Sequence, residues 1–162
     1  MIALRRDLLV ALVACLLFAP HASAQPAGTD VTVPMTTKGL FGEKTVRLAA
    51  TEYRPEGSGP FPAIVLSHGA PGTAGERVGF TGKFAVASAV FVKWGFVVLN
   101  PVRRGYGKTG GGYEEDFGRC ESPFFVEAGL ETAKDIAAAV AYLRQQPFVD
   151  GDRIVLVGTS AG

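Results

Sequence analysis

The segment Arg153-Ile154-Val155-Leu156-Val157-Gly158-Thr159-Ser160-Ala161-Gly162 joins a short apolar run to a G-x-S-x-G pentapeptide. A run of this kind reads as a strand buried on both faces. A serine placed directly after it sits at the tip of a tight turn with strained backbone angles, and the flanking glycines keep neighbouring side chains out of the way. Its hydroxyl then stands at the carboxyl end of the sheet, where open α/β sheets bind their ligands. Ser160 is therefore the candidate nucleophile.

Two more buried runs lie upstream, Ala63-Ile64-Val65-Leu66 and Phe96-Val97-Val98-Leu99. Between them Phe84, Ala87, Ser88, Phe91 and Val92 recur at helical spacing, with Gly95 placed to end the helix. A longer helix is expected from about Val126 to Gln146, with Ala133, Ile136, Ala137, Val140 and Leu143 as its apolar stripe and Pro147 as its stop. Extended stretches are expected over Val31–Thr37 and Thr45–Tyr53. Buried strands alternating with amphipathic helices give an α/β fold with a mainly parallel sheet and helices on both faces. There is no internal repeat and no second domain.

Ser67-His68-Gly69-Ala70-Pro71-Gly72 follows the first buried strand. Acyl transfer passes through a tetrahedral oxyanion that preorganised N–H donors must meet. A turn of small residues can aim one such donor at the site, and the residue after the nucleophile supplies another. These are the backbone N–H groups of Ala70 and Ala161. His68 reads as a structural histidine tying this turn down rather than as the base.

The chain has 162 residues, 48% hydrophobic and 19% charged, with 21 Gly and 10 Pro. That excludes a disordered polyelectrolyte and a coiled coil, and suits a fold with many turns. Met1–Ala24 reads as a secretory signal peptide: Arg5 and Arg6, an apolar run Leu8–Phe18, then Ala22-Ser23-Ala24 before Gln25. The run is too short to span a bilayer, which takes about 20 residues. The product is expected to be exported, to the periplasm or outside. Leu12-Val13-Ala14-Cys15 resembles a lipobox, and lipidation at Cys15 would be the one route to a membrane. Without Arg5, Arg6 and Asp7 the 16 basic and 15 acidic residues become 14 of each, so no nucleic-acid footprint remains. Beyond Ala24 there is one cysteine, Cys120, and one histidine, His68, too few for a Cys/His metal cluster.

Other motifs are set aside. Gly105-Tyr106-Gly107-Lys108-Thr109-Gly110 matches G-x-G-x-x-G, but Gly111-Gly112 and an acidic stretch follow where a dinucleotide site needs a helix. Gly107-Lys108-Thr109 lacks the leading glycine of a phosphate loop, which falls on Val102. Glu114, Glu115 and Asp116 read as a solvated loop cluster, since a metal cage would need ligands from elsewhere. Arg103 and Arg104 either clamp an anionic substrate group or simply cap nearby carbonyls and face water. No metal and no cofactor is expected.

Ala63–Gly72, Asn100–Thr109 and Asp135–Gly162 together resemble the α/β-hydrolase superfamily, most of all its dienelactone hydrolase and prolyl-oligopeptidase-like branch. Pro62–Gly69 resembles that family's third strand and oxyanion loop, and Arg104-Gly105-Tyr106-Gly107-Lys108-Thr109 its loop after the fourth strand. The resemblance implies a serine hydrolase acting on a small ester or, second, a peptide, with a carboxylate and then a histidine following the serine in chain order. Neither follows Ser160 in these residues. Residues 25–162 are thus expected to be the N-terminal portion of such a domain, inactive by themselves, with an unpaired apolar edge on the last strand. The alternative is a non-catalytic gene fragment or binding remnant of such a hydrolase.

Overall fold

A computed structural model of the protein describes residues 26–39, 42–71 and 73–162. The proposed signal peptide Met1–Ala24, with Cys15, lies outside these residues. In chain order the elements are β1 (Thr29–Gly39), β2 (Gly42–Tyr53), β3 (Phe61–Ser67), α1 (Ala74–Val78), α2 (Ala85–Lys93), β4 (Val97–Pro101), β5 (Gly118–Arg119), β6 (Ser122–Pro123), α3 (Phe125–Arg144) and β7 (Val149–Gly158).

Five strands form one sheet in the order β1-β2-β4-β3-β7. β1 and β2 pair antiparallel through their full length, from Thr29↔Glu52 to Gly39↔Gly42. β2 pairs antiparallel with β4, whereas β3 runs parallel to both β4 and β7. Four strands therefore point one way and β2 alone points the other. The carboxyl ends of β3, β4 and β7, at Ser67, Pro101 and Gly158, share one edge of the sheet.

Alternation along the strands sorts the core into two layers. Val46, Leu48, Ala63, Val65, Val97 and Leu99 face one way and pack beneath Ala139 and Leu143 of α3. Tyr53, Ile64, Leu66 and Val98 face the other way, with Phe91 and Val92 of α2 against them. The α/β architecture with helices on both faces is thus present as the sequence implies. On the α2 side Ser88 and Asn100 are fully buried polar groups, and the Asn100 amide donates to Ser88 Oγ at 3.0 Å. That bond satisfies both side chains where water cannot reach.

One expectation changes. β7 is not buried on both faces: Val155 is 47% and Leu156 58% exposed. Among the described residues β7 has β3 on one side and no strand on the other, so its outer edge lacks cover. The Pro101–Gly118 segment is mostly loop, but it leads into the small β5–β6 hairpin, two residues per strand and without an apolar pattern to announce it. Cys120 sits exposed at that hairpin as a free thiol.

Leu99 lies in the middle of the sheet with no exposure. Leu99→Ala is expected to cost about 3 kcal/mol through lost burial and the cavity left behind, read as a lower denaturation midpoint. Val126→Ala, on an exposed side chain of α3, is expected to leave the midpoint in place.

Candidate active site

Ser160 has φ +56°, and it is the one non-glycine residue with positive φ among those described. An L-residue held in this region is strained by roughly 1–2 kcal/mol. Its neighbours keep it there. The Thr159 N–H donates to the Ser67 carbonyl at 3.3 Å, and the Gly162 N–H donates to the Thr159 carbonyl at 2.9 Å. Gly158 approaches Gly162 so closely that a Cβ on Gly158 would overlap the Gly162 carbonyl, while a Cβ on Gly162 would lie 2.6 Å from the Ser67 and His68 oxygens. The two glycines of the pentapeptide are a packing requirement of the turn, as the sequence suggests.

The turn after β3 closes on the serine from the neighbouring strand. A Cβ on Gly69 would fall 2.9 Å from Ser160 Cβ and 3.0 Å from the Thr159 oxygen. Ser160 is exposed at the carboxyl edge of the sheet, with Ala70 and Ala161 exposed on the two turns that meet there. Among the described residues neither the Ala70 nor the Ala161 N–H has a hydrogen-bond acceptor.

Behind this surface lies a buried polar network. His68 has no exposure, and its ring packs against Phe80 and Tyr106 at centroid distances of 4.4 and 4.6 Å. Its Nδ1 donates to the Gly69 carbonyl at 2.8 Å, while Nε2 accepts the Arg103 backbone N–H at 3.1 Å. Burial, with the Arg103 charge adding to it, pushes the imidazole down from 6.5 to about 4. His68 is a neutral structural residue with both nitrogens engaged.

Arg103 and Arg104 are buried rather than facing water, and each meets a backbone carbonyl as the capping alternative expects, Arg103 that of His68 and Arg104 that of Glu131 in α3. Arg103, fully buried, binds Glu115 through two nitrogens, donates to Ser67 Oγ at 2.8 Å and also reaches the His68 carbonyl. Arg104, 4% exposed, holds Asp135 of α3 through Nε at 2.6 Å and through its backbone N–H at 2.8 Å. It also binds Glu131 at 3.0 Å. Arg103 thus spends Nε, Nη1 and Nη2 on internal acceptors, and Arg104 spends Nε and Nη2. Glu115 likewise corrects the solvated acidic cluster: it is 8% exposed and also accepts the Tyr106 hydroxyl at 2.8 Å, whereas Glu114 and Asp116 stay outside. Among the described residues no group of three or more His, Cys, Asp or Glu side chains is arranged to hold a metal. The G-x-G-x-x-G segment is loop, with Gly105 at φ +79° and Gly107 at φ +50°.

Arg103, Glu115, Tyr106 and Phe80 are the site residues that sequence reasoning missed as such. A signal existed: two arginines leave a buried strand and three acids follow within the same loop, a balance that suits internal pairing. A groove of about 880 Å³ lies between α3 and β7, with Ile136, Val140 and Leu156 on its walls and Ser160 absent from them.

The prolyl oligopeptidase family model matches residues 83–162. No curated protein matches the chain. Among solved structures the fold is similar to dipeptidyl peptidase 4 of Porphyromonas gingivalis, with TM-score 0.57 and 18% identity over 85% of this chain and 18% of that one. It is similar to an α/β hydrolase from a Penicillium species, with TM-score 0.54 and 20% identity over 82% of this chain and 37% of that one. Acetyl xylan esterase 1 of a Thermoanaerobacterium species gives 0.51 and 19% over 86% and 47%. The chain spans less than half the length of each of these proteins. With this sheet order and these neighbours the chain has the fold of α/β hydrolases, and over residues 83–162 it is similar to the prolyl oligopeptidase family.

Proposed function

We propose that the protein is an exported serine hydrolase that cleaves an ester or, second, a peptide bond through Ser160. The observation that carries this reading is the strained φ of +56° at Ser160, on the carboxyl edge of the sheet, with Gly69 pressed against it. Strain of this kind persists only where the surroundings over-determine it, and it concentrates at functional sites. Ser160 Oγ attacks the substrate carbonyl carbon while a base takes the hydroxyl proton. The negative oxygen that forms is met by the Ala70 and Ala161 N–H groups. The base then passes its proton to the leaving alcohol or amine, and water releases the acyl group by the same steps in reverse. No step requires a cofactor.

The base is not His68. A histidine with Nε2 accepting a backbone N–H and Nδ1 bound to a carbonyl has no lone pair to offer the serine. It comes from elsewhere in the protein, together with the carboxylate that orients it. Residues 25–162 supply the nucleophile and the oxyanion donors. Export rests on the Met1–Ala24 pattern.

In the full-length protein a fluorophosphonate probe is expected to label Ser160, and Ser160→Ala to abolish both labelling and turnover. A folded wild-type protein that resists the probe overturns the reading. Gly69→Val should slow labelling by about 100-fold, because the new side chain displaces the serine by the better part of an ångström. The exported form is expected to begin at Gln25 by intact-mass measurement.

His68 gives a pH signature. The folded protein binds fewer protons there than the unfolded chain, so this residue costs nothing above about pH 6.5. Stability then falls as the pH drops toward about 4 and levels off below it, a loss of ~3 kcal/mol in all. NMR of the imidazole should show a neutral ring with the proton on Nδ1 at pH 5.5. A ring that titrates near 6.5 contradicts the buried assignment.

A further inference from the structure

A second cleft, about 520 Å³, opens between the carboxyl-terminal half of β2, the start of β1, and the loops that follow α1 and β4. β2 stands three places from β7 in the sheet, so at a usual strand spacing the cleft lies roughly 14 Å across from the Ser160 strand. Its walls carry Arg47, Lys83 and Lys108 against a single carboxylate, Asp30. Lys83 pairs with Asp30 at 2.9 Å, and Thr51 also donates to that carboxylate. Arg47 and Lys108 have no ion-pair partner among the described residues.

These two cations are brought to one cleft by buried connections. Thr109, 8% exposed, accepts the Ala49 N–H at 3.0 Å through Oγ1 and donates to the Val102 carbonyl, which locks the loop bearing Lys108 onto the strand bearing Arg47. The Gly110 N–H adds a bond to the Arg47 carbonyl at 3.4 Å. Gly107 lies directly against the Phe80 carbonyl, which holds the Phe80 loop in place, and half-buried Phe80 is among the residues that line the cleft. Gathering like charge in a concave, partly apolar space raises the local positive potential, and an anion relieves it.

We propose that this cleft binds a small organic anion, a carboxylate or phosphate monoester carried on a flat apolar body. Arg47 and Lys108 hold the anionic group, and the body lies against Phe80. The site is separate from Ser160, and its occupancy does not depend on the serine reading.

The test is binding to the full-length protein, by calorimetry and amide NMR, of phenyl phosphate, benzoate and the neutral benzyl alcohol. One or both anions should bind, and which one binds tells a phosphate site from a carboxylate site. Shifts should centre on Ala49, Thr81 and Lys108, and benzyl alcohol should not bind. Arg47→Gln and Lys108→Gln, both on exposed side chains, should each weaken the anion about ten-fold, the usual worth of a charged hydrogen bond. Raising salt from about 0.05 M to about 0.5 M should weaken it further by screening. Lys93→Gln, on an exposed side chain of α2, should change nothing. The proposal is overturned if neither anion binds, if benzyl alcohol binds as well as they do, or if both cation variants bind like wild type.

Discussion

The candidate site depends on one buried guanidinium. Arg103 joins the exit of β4 to the exit of β3 through Ser67 and His68, and its backbone N–H fixes the His68 ring from below. Gly69, the next residue, is the one that meets Ser160. A guanidinium stripped of water costs several kcal/mol unless its donors are met. Glu115 supplies the opposing charge, and the Tyr106 hydroxyl helps to satisfy that carboxylate in turn. Lysine could not replace the arginine here: a point charge with three donors cannot reach two acceptors on one turn and a carboxylate on another. Arg104 makes the parallel connection to α3, so consecutive residues anchor the same loop to the strand beside it and to the helix above it.

A buried ion pair of this kind is weak grounds for stability, because well-packed apolar residues of the same volume serve as well or better. Its value lies in direction. Apolar packing would hold the β3 turn near the serine without fixing which way its N–H groups point, whereas a planar fork with four acceptors allows one arrangement of the Ser67–Gly69 backbone. An oxyanion site needs that arrangement set before the charge develops.

The five-stranded sheet and the two longer helices, α2 and α3, were legible in the sequence because they are local patterns. Ala63–Leu66 and Phe96–Leu99 announce buried strands, the alternation through Val46 and Leu48 announces a half-buried one, and the stripe from Ala133 to Leu143 announces α3. The serine turn was legible for the same reason, since its glycines and its strand are contiguous. The network beneath it was not. Arg103 finds Glu115 12 residues away and Ser67 36 residues away, and Arg104 finds Asp135 31 residues away. No local period encodes such pairings, so arginines and acids in a glycine-rich loop read as solvated. The open edge of β7 was expected from the resemblance, whereas the run Ile154–Val157 taken by itself has the composition of a strand buried on both faces, because composition does not say which neighbours are present.

The strain at Ser160 and the Arg103 network act as one unit. A positive φ on a serine relaxes unless both flanks are tied, and the flank at Thr159 is tied to the Ser67 carbonyl. Ser67 is in turn held through its hydroxyl by Arg103. The restraint on Ser160 therefore runs through backbone atoms and a neighbouring strand, not through contacts to the serine side chain. That leaves Oγ exposed and without an internal partner among the described residues, so the hydroxyl is positioned while its hydrogen bond stays available. An arrangement that fixed the serine by bonding its hydroxyl would have to break that bond before any attack. Here the geometry is held from behind, and Oγ is left free, as the proposed attack requires.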